Sequence, residues 1–294
     1  MCIDISRFDI KLTSSKIVSL LVLVVILSAS AGDVFAKEEK PDNNGADKTS
    51  DKKIDASDPT KVYTYVGVGP KYIDYTNGET MLELRAAGNI GLSKNDMMFF
   101  GIGYGKHSGD TVPGSDTGVT NIRGRWFHLF DMDYTITSGY RGWASQIDLQ
   151  IAGSLKGTDG QNTLSLGGLP AFGISKKWSV FLPMSLVNAW DKEFKVHNGV
   201  GLNVSPLLVY VPGDWWQGAG LQFWPSYTRF VSGELSGSGS GNLDVTILGK
   251  ITPTVTWTVL LQQNYDKDLK TYRRDRDSGL KNDWNAFFNI TTYL

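Results

Sequence analysis

Charged side chains occupy alternate positions in several otherwise apolar segments of the chain. Glu83 and Arg85 lie two residues apart, and so do Arg123 and Arg125. In an extended strand, residues i and i+2 point to the same face, so each pair would project to one side. Further charges with this placement among apolar neighbours are Asp148, Asp244 and Lys250. Guanidinium and carboxylate groups on one face can bind each other or a charged solute.

The lumen of a membrane-spanning β-barrel is where such charges are tolerated. On the lipid face an Arg or Lys near the bilayer midplane costs about 2–4 kcal/mol, whereas the lumen is polar. In the lumen the cluster would select solutes by charge and size. Alternatively it is a salt-bridge network that stabilises a narrow barrel, and the sequence leaves both interpretations open. Three guanidinium groups facing Glu83 and Asp148 leave a positive excess, so the first interpretation predicts a weak anion preference.

Residues for enzymatic chemistry are sparse. His107 and Ser108 are adjacent, so on a strand they point to opposite faces and cannot act as a base and nucleophile pair. We expect His107 in an exposed loop, and His128 at the lipid face or its boundary. The spacing of His, Cys and carboxylate residues matches no transition-metal site. The sequence therefore predicts no catalytic residue, no metal and no cofactor.

The strands that would position these charges are recognised by alternating polarity. In Thr254–Tyr265, large apolar residues occupy alternate positions from Val255 to Leu261, and Gly142–Leu155 and Asn242–Ile251 show the same pattern. We predict an all-β, transmembrane, antiparallel up-and-down β-barrel of about twelve strands over residues 61–294, with ten or fourteen strands as alternatives. The predicted strands begin near Lys61, Glu79, Asp96, Gly118, Tyr140, Gln161, Lys177, Phe194, Gln217, Gly241, Pro253 and Asp283.

The N-terminal part of the chain reads as a targeting segment. Lys11 and Lys16 precede an apolar run, Ile17–Leu27, and Val34-Phe35-Ala36 resembles a cleavage site. The run is shorter than the roughly 17–25 residues of a membrane-spanning helix, which indicates a secretory signal peptide over residues 1–36. Residues 37–60 are polar and predict a disordered linker, with a periplasmic tether or plug as the alternative.

The last strand has an apolar outer face that runs to the end of the chain. It resembles the C-terminal strand of bacterial outer-membrane β-barrels, which their assembly machinery recognises, although that family commonly ends in Phe and this chain ends in Leu294. On that resemblance, the expected assembly signal comprises Trp284, Phe288, Ile290, Tyr293 and Leu294.

Two internal segments carry a further family resemblance. Thr117–Trp126, with Gly118, Ile122 and Arg125 in order, resembles a strand motif of outer-membrane barrels associated with a phenol-degradation (meta) pathway, and 173–180 resembles their periplasmic hairpin. Asn121 stands where that family usually has Asp. The resemblance implies an outer-membrane protein that handles a small solute, hydrophobic solutes included.

Composition limits the partners. A net charge of -1 and 20% charged residues argue against a nucleic-acid partner held by a basic surface. We expect a monomer in the outer membrane of a Gram-negative bacterium that contacts lipid, lipopolysaccharide, the barrel assembly machinery and a small solute. Passage or binding of that solute is the favoured function. The alternatives are a lipid hydrolase of the phospholipase or lipid A deacylase type, and a structural or surface-interaction barrel.

Overall fold

A computed structural model describes residues 62–75, 78–109, 117–133, 135–155, 161–212, 219–267 and 282–294. The predicted signal peptide and linker lie outside these residues. The described strand segments are β1 (Tyr65–Tyr75), β2 (Thr80–Gly91), β3 (Asp96–Ser108), β4 (Thr117–Phe130), β5 (Gly139–Ala152), β6 (Gln161–Gly173), β7 (Trp178–Phe181), β8 (Met184–Asp191), β9 (His197–Val204), β10 (Leu207–Tyr210), β11 (Gly220–Phe230), β12 (Gly239–Thr252), β13 (Val255–Lys267) and β14 (Asn282–Tyr293).

These segments form one closed antiparallel barrel. They make up wall strands that pair with the preceding and following wall strand, and β1 pairs with β14 to close the ring. Two wall strands are each interrupted at a proline: β7 and β8 at Pro183, and β9 and β10 at Pro206. Proline has no amide hydrogen to donate to a ladder, which explains both interruptions. The wall therefore has twelve strands, which confirms the predicted fold class, and each strand starts within four residues of its predicted position.

Alternation along the strands separates a lipid face from a lumen face. On β2, Leu82 is 61% exposed whereas its neighbour Glu83 is 2% exposed. The long strands have 11 to 14 residues, enough for tilted strands to cross a bilayer. Closure leaves no unpaired sheet edge in lipid. In the described part of the chain, no helix is long and apolar enough to cross a membrane.

We call the end of the barrel where β1 begins and β14 ends the lower end. Apolar side chains fill part of the lumen there, and they form one cluster around Met97 and Phe127 and another around Phe181 and Leu207. The connection between β4 and β5 contributes Met132 to both clusters. Arg141 holds this connection by donating to the carbonyl oxygen of Ile136 at 2.6 Å. The lower end is thus narrowed on one side.

Candidate functional site

A cavity of about 460 Å³ lies in the lumen, and we call it the upper cavity. Its charged lining comes from five strands and consists of Lys71, Arg85, Arg123, Arg125, Asp148 and Asp244. Most other lining residues are neutral hydrogen-bonding side chains, including Gln150, Thr163, Asn203 and Ser226. Both oppositely charged groups and neutral donors and acceptors therefore face this space.

Two arginines share one carboxylate in the upper cavity. Arg125 on β4 is directly opposite Asp148 on β5, and Arg123 is its diagonal neighbour. Arg123 donates from Nε to Asp148 Oδ1 at 2.9 Å and from Nη2 to Oδ2 at 2.6 Å, which is a bidentate fork. Arg125 donates from Nε to Oδ2 at 2.9 Å. A single negative charge thus serves two positive charges.

A second group of charges lies on β2. Arg85 Nη1 donates to Glu83 Oε1 at 3.2 Å and to Asn121 Oδ1 at 2.9 Å. Glu83 is buried because it occupies the space that a side chain at Gly103 would fill; a Cβ there would lie 2.5 Å from Glu83 Oε1. Gly101 likewise leaves room for the guanidinium of Arg85. Alternate glycines on β3 therefore let these charged side chains lie flat across the neighbouring strand.

The opposite wall carries a row of polar groups at one level. Trp224, Asp244, Gln262 and Asn285 are successive cross-strand neighbours from β11 to β14. Asn285 Nδ2 donates to Gln262 Oε1 at 2.6 Å, and Gln262 Nε2 donates to Asp244 Oδ1 at 2.7 Å. Asn242 Nδ2 also donates to Asp244 Oδ1, at 2.6 Å. Amide donors hold this carboxylate in place on the wall.

A second cavity of about 300 Å³, the lower cavity, lies toward the lower end. Its lining includes Tyr65, Phe99 and Tyr293, and its polar residues are mainly Asn and Thr. Trp224 lines both cavities. Its indole Nε1 donates to the carbonyl oxygen of Ser205 at 3.0 Å. Trp224 therefore forms part of the partition between the two spaces.

The structure places the predicted lumen residues unequally. Arg85, Arg123, Arg125, Asp148 and Asp244 line the upper cavity, whereas Glu83 lies beneath it against Gly103. Lys250 is not among the lining residues of either described cavity. It is six residues from Asp244 on β12, or about 20 Å at the usual rise, beside Thr256. Its position in the constriction therefore stays a prediction.

Sequence reasoning missed several residues of the site. Lys71 was overlooked because Pro70 obscured the alternation of β1, which nevertheless continues through it. Asn121 was noted only as a departure from a family motif. The alternating glycines Gly101, Gly103 and Gly105 were a signal that could have located the strand over which the charged side chains lie.

One of the two histidines singled out in the sequence differs from expectation. His107, expected in an exposed loop, is buried inside the upper end, where its Nε2 lies 3.2 Å from Glu79 Oε2. His128 is on the outer face at the lower end, and its Nδ1 lies 2.8 Å from Asp96 Oδ1. Cross-strand register places Ser145 opposite His128. Among the described residues, no group of three or more His, Cys, Asp or Glu side chains could hold a metal.

The residues of the expected assembly signal lie on both faces of β14. Trp284, Phe288, Ile290 and Leu294 are exposed on the outer face. Tyr293 is buried on the lumen side, where its ring packs against the rings of Tyr63 and Tyr65. The outer face of the closing strand is thus apolar over its described length.

Comparison with known proteins identifies the fold. No family model matches the chain, and no curated protein matches it. An outer-membrane channel from Pseudomonas putida F1 superposes with a TM-score of 0.55 at 11% identity, covering 85% of this chain and all of that chain (100%). A KdgM porin in complex with disordered oligogalacturonate gives a TM-score of 0.48 at 8% identity, covering 78% of this chain and 99% of that chain.

Outer membrane phospholipase A from Escherichia coli gives a TM-score of 0.45 at 12% identity, covering 79% of this chain and 90% of that chain. At such identities the first similarity establishes the fold alone, and the other two are too distant to add to it. The chain has the fold of an outer-membrane β-barrel. Membership of the family associated with phenol degradation gains no support from these comparisons.

Proposed function

We propose that the barrel passes small solutes across the outer membrane, with a preference for anions. The observation that carries this proposal is the pair Arg123 and Arg125, which share the single carboxylate of Asp148 in a cavity of about 460 Å³. Charged side chains that face a narrow lumen select ions by sign.

The charge count around the upper cavity favours anions. Lys71, Arg85, Arg123 and Arg125 face it, against Asp148, Asp244 and the underlying Glu83; the described residues therefore leave one excess positive charge. Screening is poor between low-dielectric walls, so even one excess charge changes the energy of an entering ion. The expected preference is weak because most of the positive charge is paired.

A filled, purely structural barrel is the rival interpretation of the same cluster. The side chain of Arg123 is 39% exposed and that of Arg125 is 14% exposed, so the ion pair faces open space on one side. A network that only sealed a narrow barrel would leave no cavity beside it. The geometry therefore supports passage over plugging.

Location and partners follow from the same proposal. A conducting barrel of this kind would be exported by the N-terminal signal peptide and inserted into the Gram-negative outer membrane by the barrel assembly machinery. The face of Trp284, Phe288 and Ile290 would contact that machinery and lipid, and basic residues of the segment between β13 and β14 would contact lipopolysaccharide phosphates. We expect the barrel to act as a monomer.

Planar-bilayer recording of the refolded wild-type barrel tests the proposal. In a potassium chloride gradient, the zero-current potential should have the sign of a modest chloride preference. A barrel that inserts but passes no current, or that prefers potassium, would overturn the proposal. A structural barrel would insert without conducting.

One observation favours a second candidate function, a lipid hydrolase. Asp96, His128 and Ser145 are successive cross-strand neighbours on the outer face, in the order that an acid, base and nucleophile require. Channel function is preferred because a serine hydrolase also needs oxyanion donors. Ser145 is in a strand that is paired on both sides in the described sheet.

Ester hydrolysis by the detergent-refolded protein decides this second candidate. A short-chain nitrophenyl ester and a phospholipid would be offered to the wild-type barrel and to Ser145→Ala. Turnover that the substitution abolishes would establish the hydrolase. Absent turnover, or turnover equal in both proteins, removes it.

A further inference from the structure

The neutral lining of the upper cavity indicates what kind of anion the barrel takes. Beside the charges, hydroxyl and amide side chains surround the space on most sides of the wall, among them Gln150, Thr163, Ser185, Thr228 and Asn264. A solute that leaves water for such a cavity must replace the hydrogen bonds that water makes with its walls. A solute rich in hydroxyl groups can do so, and an alkyl chain cannot.

The charged wall adds a carboxylate site. Arg123 and Arg125 present parallel N–H groups toward Asp148, and a planar carboxylate is the group that such forks bind best. Two guanidinium groups share the one carboxylate of Asp148, so one positive charge is not balanced. The carboxylate of a bound solute would balance it. Trp224 forms an apolar surface at the partition below, suited to the carbon-bound hydrogens of a ring or chain.

We infer that the solute is a small polyhydroxylated acid, such as a sugar acid, recognised by the arginine pair and by the amide and hydroxyl lining together. This inference rests on the proposed anion passage and names its substrate class. A cavity of about 460 Å³ is within the roughly 300–1,000 Å³ range of small-molecule sites. A site whose side chains hydrogen-bond a hydroxyl group discriminates by a large factor against the analogue that lacks this group.

Block of the chloride current by three six-carbon probes tests the inference. Gluconate has a carboxylate and five hydroxyl groups, hexanoate has the carboxylate alone, and sorbitol has hydroxyl groups without charge. Gluconate should block at a concentration roughly tenfold lower than either of the others. If hexanoate blocks as well as gluconate, recognition of hydroxyl groups is refuted. If sorbitol blocks as well as gluconate, recognition of the carboxylate is refuted.

A variant places the recognition in the upper cavity. Gln150 and Thr163 are cross-strand neighbours that both line it, so Gln150→Leu with Thr163→Val removes hydrogen-bonding groups at nearly constant volume. The ratio of gluconate to hexanoate block should fall toward one. Thr292→Val, on the outer face of β14, is the matched control and should keep the wild-type ratio. An unchanged ratio in the double variant would contradict the inference.

Failure of the proposed function is distinguishable from failure of this inference. A conducting, anion-preferring barrel that blocks equally with gluconate and hexanoate refutes the inference alone. If the barrel does not conduct, titration of tryptophan fluorescence with the same probes decides the inference. Stronger binding of gluconate than of hexanoate then supports it, and equal or absent binding overturns it.

Discussion

The guanidinium carbon of Arg125 lies 5.8 Å from the ring centroid of Trp224, although β4 and β11 are on opposite sides of the barrel. This distance is within the range of a cation–π interaction, and it marks a narrow point of the lumen between the two cavities. Pro225 follows Trp224 and has no amide hydrogen, so the indole supplies a donor to Ser205 beside it. The partition is thereby held by contacts on both walls.

Replacing Trp224 with Leu should join the two cavities and raise the single-channel conductance on the order of twofold, since the narrowest segment dominates the resistance of a pore. Recording of single channels at symmetrical high salt measures this change. Trp257→Leu, on the outer face of β13, is the control and should keep the wild-type conductance. Equal conductance in all three proteins would show that Trp224 does not restrict the path.

Asp148→Asn should strengthen anion preference. The substitution keeps the shape of the side chain but removes the one carboxylate that pairs with Arg123 and Arg125, so the local positive charge rises by one. The zero-current potential in a salt gradient should move further in the anion direction. Asp133→Asn, in the exposed lower connection, removes the same charge and should leave that potential unchanged. A shift toward cation selectivity in Asp148→Asn would refute the proposed anion preference.

Gly103→Ala should destabilise the barrel by about 1–3 kcal/mol, the usual cost of overpacking. The new Cβ would lie 2.2 Å from Thr120 Oγ1 and 2.5 Å from Glu83 Oε1, both of which belong to buried side chains. Gly124→Ala is the matched control, because no atom lies within 4 Å of a Cβ built there. Urea unfolding in detergent measures the difference, and equal stability of the two variants would contradict the packing account.

Alternation made the barrel predictable from the sequence. The strands at Thr254–Tyr265 and at the end of the sequence were predicted correctly. Lipid on one face and polar lumen on the other impose an alternation of apolar and polar residues with a period of two. The turn signals also located the strand starts. The interruptions at Pro183 and Pro206 were not predicted, since the alternation gives no account of which ladder bonds a proline removes.

The site was predictable only in part. Alternation indicated which charges point inward, and the structure pairs Arg123 and Arg125 with Asp148. Alternation could not give the relative height of charges on different strands, which depends on the stagger between those strands. Contacts across the lumen, such as Arg125 with Trp224, depend on barrel diameter and leave no local signal.

Phe288→Asp should sharply lower the yield of folded barrel. Phe288 is 43% exposed on the outer face of the closing strand, where lipid cannot solvate a carboxylate. Deletion of Tyr293 and Leu294 should act similarly. Tyr265→Asp, 59% exposed near the upper end of β13, is the control, because the cost of a charge falls toward the interface. Heat-modifiable migration in SDS gels measures yield, and normal yield in Phe288→Asp would refute the assembly role.

The central claim is that Arg123 and Arg125 line the path of conducted ions and set its selectivity. The direct measurement is the zero-current potential of the double variant Arg123→Gln with Arg125→Gln in a potassium chloride gradient. Lys176→Gln with Lys177→Gln, in an exposed turn, removes the same charge as a control. The account predicts a shift toward cation selectivity in the arginine variant and none in the lysine variant. A conducting arginine variant with wild-type selectivity would contradict it.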